Sequence, residues 1–248
     1  MYDLYQKDGF RQLITLKCPP NMSKKELTDW WFKHAEKVKN LKGLKWYTVC
    51  FTIDSIDYSN GSEGQKPPFD GYEEMWFSSL DELKEAFNSK IMKDELSDIT
   101  NNKFKDPELF HVLWAEGNIV KMKGLISPPK QKGCYRIFGG CKRRQGMTKK
   151  DLKDWYYQHA ARVIDENGRM IIPEIIGYTH NFLIDDSPFG PPLVDAYCNN
   201  WWSSLAEMKK TFASYVWKSQ LEDREDHLDA FDESLFVGAL AEEHIIEI

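Results

Sequence analysis

No apolar run in the sequence approaches the roughly 18 to 20 residues that a membrane-spanning helix needs, so no membrane contact of that kind is expected. The opening, Met1-Tyr-Asp-Leu-Tyr-Gln-Lys-Asp, lacks the basic-then-apolar layout of a signal peptide, and a cytoplasmic location is the expectation. Cysteine is sparse. Cys18, Cys50, Cys134, Cys141 and Cys198 are odd in number and irregular in spacing, which suggests neither a disulfide framework nor a C-x-x-C pair. Surplus positive charge is missing too: 33 Lys and Arg against 39 Asp and Glu leave a net charge of -6, which argues against general nucleic-acid binding. The sequence also lacks G-x-S-x-G, H-x-x-x-H and ligand-spaced carboxylate clusters, so no triad hydrolase and no metal site is expected.

Aromatic residues, by contrast, are plentiful. Nine tryptophans in 248 residues carry too much ring surface to remain in water, and a folded chain follows. Two blocks recur at an offset of 125 residues. KELTDWWFKHAEKV (25–38) matches KDLKDWYYQHAARV (150–163) at seven of fourteen positions, and WFSSLDELKEAF (76–87) matches WWSSLAEMKKTF (201–212) at seven of twelve. Unrelated sequence would share roughly one position in each block. The chain is therefore read as two copies of one unit, residues 1–119 and 133–248, with a Gly/Pro-containing linker at 120–132.

Each unit reads as strand, helix, two strands, helix, strand. Strands are expected near 10–18, 44–54, 70–77 and 108–115, and again near 134–142, 174–184, 195–202 and 234–241. The first helix of each unit opens at Ser23-x-x-Glu26 or Thr148-x-x-Asp151, and the second at Ser79-x-x-Glu82 or Ser204-x-x-Glu207. Leu27, Trp30, Trp31, His34, Ala35 and Val38 form one apolar stripe at helical spacing, as do Leu152, Trp155, Tyr156, His159, Ala160 and Val163. A histidine thus sits on the inward stripe of both helices. The βαββαβ order makes the fold class α+β, with two ferredoxin-like repeats whose bare sheet faces cover each other.

The pattern W-[WY]-[FY]-x-H-A, the G-Y or G-x-x-x-Y strand start and the W-[FW]-S-S-x-x-E block resemble the EthD family of the dimeric α+β barrel superfamily. The resemblance covers nearly the whole chain, twice. It implies an intramolecular, pseudo-dimeric eight-stranded barrel with a ligand cleft between helices and sheet in each repeat, and it is compatible with self-association of the fused barrel. In EthD-like lactone isomerases the helix histidine is a proposed active-site residue. By match, a strand tyrosine facing it falls on Tyr47 and Tyr178, while the family's thiol position falls on Met75 and Asn200, which departs from thiol chemistry.

Strand alternation adds His180 beyond Tyr178, where the first copy has Val49, and Cys198 before Asn200, where the first copy has Glu73. Trp31 and Tyr156, on the helix stripes, would line the clefts. The second copy is the better equipped, with His159, Tyr178, His180, Cys198 and Asn200 against His34, Tyr47, Glu73 and Met75. Burial among rings is expected to keep His34 and His159 neutral and poised for proton transfer. The competing reading is a pair of core histidines satisfied by their surroundings. Other branches of the superfamily hold haem, which by resemblance makes His34 and His159 conceivable axial ligands; the leading expectation is that no cofactor is used. The function expected is a cofactor-free lyase, isomerase or cyclase acting on a small apolar, aromatic or polyketide-like substrate, and the alternative is a non-catalytic carrier of such a molecule.

Overall fold

Both first helices open as their capping signals require. In the computed structural model, which describes residues 4–53, 69–99, 104, 106–185, 192–219 and 237–248, α1 (Lys24–Val38) and α4 (Lys149–Arg162) each begin at a reciprocal capping box. Ser23 and Thr148 accept from the third helical amide, and Glu26 and Asp151 accept from the cap amide. At α2 (Leu80–Asn88) only the serine arm forms, because the Glu82 carboxylate accepts from Ser78 N instead, at 2.9 Å. Ser89 then ends α2 and caps a helix absent from the sequence reading, α3 (Lys90–Asp98). The second repeat has α5 (Leu205–Ala213), capped by Ser204.

The strands are β1 (Tyr5–Leu16), β2 (Leu44–Thr52), β3 (Gly71–Phe77) and β4 (Phe110–Val120) in the first repeat, and β5 (Tyr135–Cys141), β6 (Ile175–Leu183), β7 (Ala196–Trp202) and β8 (Val237–Ile245) in the second. They close one antiparallel barrel in the order β1-β3-β2-β8-β5-β7-β6-β4. Each repeat supplies the ferredoxin-like set, β4-β1-β3-β2 or β8-β5-β7-β6. Two seams join the sets, β2 with β8 (Val49 opposite His244) and β4 with β6 (Asn118 opposite His180). Closure pairs the sheet edges that an isolated repeat would leave open. Two expected boundaries move: β1 begins at Tyr5 rather than near residue 10, and β4 runs on to Val120. The expected loop at 55–69 lies almost wholly outside the described residues, as does the start expected for the last strand.

Alternate strand residues point into the barrel, where Leu13, Tyr72, Leu113, Phe138, Tyr197 and Ala239 from both repeats form one apolar cluster. An ionic group is buried with them. Arg136 Nη1 donates to Glu243 Oε1 at 2.9 Å, Nη2 lies 3.0 Å from Glu74 Oε2, and Nε donates to the Tyr72 hydroxyl at 3.0 Å. Tyr197 and Trp201 donate to the remaining oxygens of Glu74 and Glu243, at 2.8 and 2.9 Å. Arg11, in the matching position of the first repeat, stacks 3.5 Å above the Trp76 ring and pairs with Asp8. The opposite strand faces meet the helices, and the candidate residues lie there.

Candidate functional site

In the first repeat the helix face is occupied by a closed polar cluster. Trp31, His34, Tyr47, Glu73 and Met75 are all buried. His34 Nδ1 lies 2.9 Å from Glu95 Oε2 and its Nε2 lies 3.3 Å from Glu73 Oε1. Glu73 Oε2 accepts from Tyr47 at 2.6 Å and from Trp31 Nε1 at 2.7 Å, while Lys37 reaches Glu95 Oε1 at 2.7 Å. Burial opposes charge on His34, but the two carboxylates outweigh it and lift its pKa to about 9. The expectation of a neutral His34 is therefore corrected: at neutral pH it is an imidazolium held between two carboxylates. Both nitrogens are engaged, which leaves no lone pair for a haem iron or a substrate proton. Met75 sits apart from this group, with Gln12 Nε2 4.0 Å from its sulfur.

The second repeat arranges its residues differently. His180, on β6, is fully buried within a ring of aromatics: Tyr156 and Tyr178 at centroid distances of 4.7 Å, Tyr5 at 5.5 Å and Phe182 at 6.4 Å. Its Nδ1 lies 3.0 Å from the Tyr5 hydroxyl, which also donates to the Tyr156 carbonyl at 3.1 Å. Among the described residues nothing hydrogen-bonds to Nε2. Desolvation, helped by nearby His159, pushes the His180 pKa well below the usual histidine value, so the ring is neutral. Tyr156 and Tyr178 are held far above the usual phenol range by burial and stay protonated. The Cys198 thiol, opposite His180 on β7, is pushed up to about 12 by burial, as is Cys141, which lies 3.4 Å from the Tyr156 hydroxyl.

His159 is partly buried, where His34 is buried. It stacks on Trp155 at 5.2 Å and, like Trp155, Tyr157, Phe182 and Tyr5, is partly exposed. Asn200 is buried beside Tyr178, its partner in the β6–β7 ladder. The structure thus brings Tyr156, His159, Tyr178, His180, Cys198 and Asn200 to one face. Two residues were missed. Tyr5 belongs to the first repeat and has no counterpart in the repeat alignment, and Glu95 lies on the unanticipated α3. Among the described residues no group of three or more His, Cys, Asp or Glu is placed to hold a metal, and no helix is long and apolar enough to cross a membrane.

This fold and these residues agree with a family comparison, in which the EthD domain model matches residues 19–108. The chain carries an EthD domain. The match spans α1, with His34, through α3, with Glu95, so the closed cluster is built within it. No curated protein matches the sequence. Among solved structures, the chain is similar to an anthrone oxidase-like protein with 8% identity and a TM-score of 0.61, over 98% of this chain and 95% of that one. It is also similar to a candidate monooxygenase from Fusobacterium nucleatum subsp. nucleatum (8% identity, TM-score 0.57, 100% of this chain and 94% of that one). A candidate monooxygenase from Lactobacillus acidophilus NCFM gives 10% identity and a TM-score of 0.53, over 96% of each chain. At such identities the likeness is one of fold, and it extends the barrel beyond the EthD domain match to both repeats.

Proposed function

We propose that the second repeat is the active half of an acid–base enzyme that takes a proton from a small aromatic carbonyl compound. The observation that carries the reading is His180: a neutral imidazole, fully buried among tyrosines, with Nε2 unpartnered. Buried polar atoms are nearly always paired, and an unpaired one needs a reason. A base waiting for a substrate proton is such a reason. The surrounding tyrosine and phenylalanine rings suit a flat aromatic ligand, and the Tyr178 phenol and Asn200 amide supply donors for a developing enolate oxygen.

The proton step balances within the site. His180 Nε2 takes a proton from carbon or hydroxyl conjugated to the carbonyl, and the electron pair of the broken bond is held as enolate or phenolate. His159, partly exposed and close enough to affect His180 electrostatically, is the route by which the proton exchanges with solvent. Isomerisation, dehydration and cyclisation share this first step. The first repeat, with its histidine locked between carboxylates, serves as scaffold.

Anthrone is a suitable probe, because its methylene protons are acidified by conjugation to a carbonyl and the anthrone oxidase-like structure shares this fold. In D2O the protein should accelerate exchange of those protons over buffer. His180→Gln, folded by circular dichroism, should lower that rate by about 10²–10⁴, the usual worth of a general base. Binding of anthrone without accelerated exchange would favour the carrier reading, and unchanged exchange in His180→Gln would remove His180 from the chemistry.

A further inference from the structure

We propose that Tyr5, from the opening strand of the first repeat, is a positioning residue that fixes which ring nitrogen of His180 carries the proton. The inference rests on the reading of His180 as the base. The Tyr5 hydroxyl has one hydrogen and two neighbours, the Tyr156 carbonyl at 3.1 Å and His180 Nδ1 at 3.0 Å. A carbonyl only accepts. Both contacts are hydrogen bonds in one arrangement alone: Nδ1–H donates to the Tyr5 oxygen, and the Tyr5 O–H donates to the carbonyl. The lone pair then resides on Nε2, the buried atom without a partner.

The chain path explains why only one repeat has this device. Tyr5 stands six residues before Arg11, whereas β5 starts at Tyr135, one residue before the matching Arg136. The extra length of β1 pairs with β4, Tyr5 opposite Val120, and β4 pairs in turn with β6, Asn118 opposite His180. Across that seam the tyrosine reaches the second repeat's histidine. Tyr157 packs on the Tyr5 ring at a centroid distance of 3.8 Å and limits its rotation. Lys130, six residues before Arg136, is exposed and makes no such reach. The site is therefore composite, with its base on one repeat and the group that orients the base on the other, much as an outer hydrogen-bond partner fixes the tautomer of a metal-bound histidine.

The test is a long-range proton–nitrogen spectrum of the full chain labelled with 15N-histidine at neutral pH. The chain has six histidines, and His180 is assigned as the ring missing from His180→Gln. Wild type should show the Nδ1–H form. Tyr5→Phe, which keeps the ring and loses the hydroxyl, should shift the majority to Nε2–H, whereas Tyr157→Phe should leave Nδ1–H in place. An Nε2–H form in wild type, or an unmoved Nδ1–H form in Tyr5→Phe, would overturn the proposal. The readout needs no substrate, so the two readings fail separately. A tautomer that follows Tyr5 without proton exchange on anthrone retires the base alone, and exchange with a tautomer indifferent to Tyr5 retires the positioning role alone.

Discussion

Glu73 and Cys198 hold the same register position in the two repeats: Glu73 lies across from Val49 on β2, and Cys198 lies across from His180 on β6. The exchange leaves a carboxylate beside the first repeat's histidine, where Glu95 joins it, and none beside His180, which burial and His159 keep neutral. In the first repeat a strand carboxylate faces the helix histidine and helps make it a cation. In the second a protonated thiol stands where the carboxylate was, and the buried imidazole on the strand stays neutral.

The His34 cluster should be a stability element with a definite pH signature. Its folded pKa of about 9 exceeds the ordinary value of 6.5, so between those values the folded state holds a proton that the unfolded state has released. The contribution is fully present below pH 6.5 and is lost as pH rises through 9. Urea unfolding across this range should show stability falling with pH in wild type and a flattened dependence in His34→Gln. That variant should also lose about 3–5 kcal/mol near pH 6, because it leaves the buried Glu73 without a cation while Glu95 keeps only Lys37.

His180 should act in the opposite sense. Its folded pKa is depressed, so below about pH 6.5 the unfolded state binds a proton that the folded state refuses, and stability falls with acidity at up to about 1.4 kcal/mol per pH unit. His180→Phe should reduce the acid-side slope, to which His111 also contributes, while leaving the alkaline one intact. Unfolding curves from pH 4.5 to 6.5 read the difference, and an unchanged acid slope would argue that His180 is already protonated when folded.

Arg136 joins Glu74 of the first repeat to Glu243 of the second inside the barrel. Arg136→Met should cost about 3–5 kcal/mol by stranding two buried carboxylates. Adding Glu74→Gln and Glu243→Gln should recover most of that loss, because the charges that needed the guanidinium are gone. A triple variant no more stable than the single one would show that Arg136 acts through packing rather than charge.

Gly117 and Glu243 each lie two residues beyond the alanine paired with Arg11 or Arg136. Where the second repeat has a carboxylate, the first has a glycine against which the Arg11 guanidinium packs: a Cβ at residue 117 would stand 2.6 Å from Arg11 Cζ. Gly117→Ala should therefore cost about 1–3 kcal/mol through overpacking against a guanidinium already stacked on Trp76, measured as a lowered denaturation midpoint.

Much of the fold was legible in the sequence because it is written twice. Ser23 and Thr148 marked the helix starts, and the 125-residue offset marked the two sheets that close the barrel. Tyr178 and Asn200 followed from the family resemblance, and strand alternation added His180 and Cys198. The charge of His34 did not, since it depends on Glu95, carried by a helix that breaks away at Ser89, beyond the repeated blocks that the sequence reading used. Tyr5 was invisible for a related reason: its partner is 175 residues distant and its role arises only when β4 pairs with β6 across the seam.

The central claim is that the two repeats hold histidines of opposite character, a locked cation at residue 34 and a neutral base at residue 180. Titration of the imidazole carbon-bound protons by NMR, assigned with His34→Gln and His180→Gln, tests it most directly. The account expects His34 to titrate near pH 9 and His180 to remain neutral well below pH 6.5. A His180 that titrates at or above pH 6.5, or a His34 that is already neutral at pH 7, would contradict it.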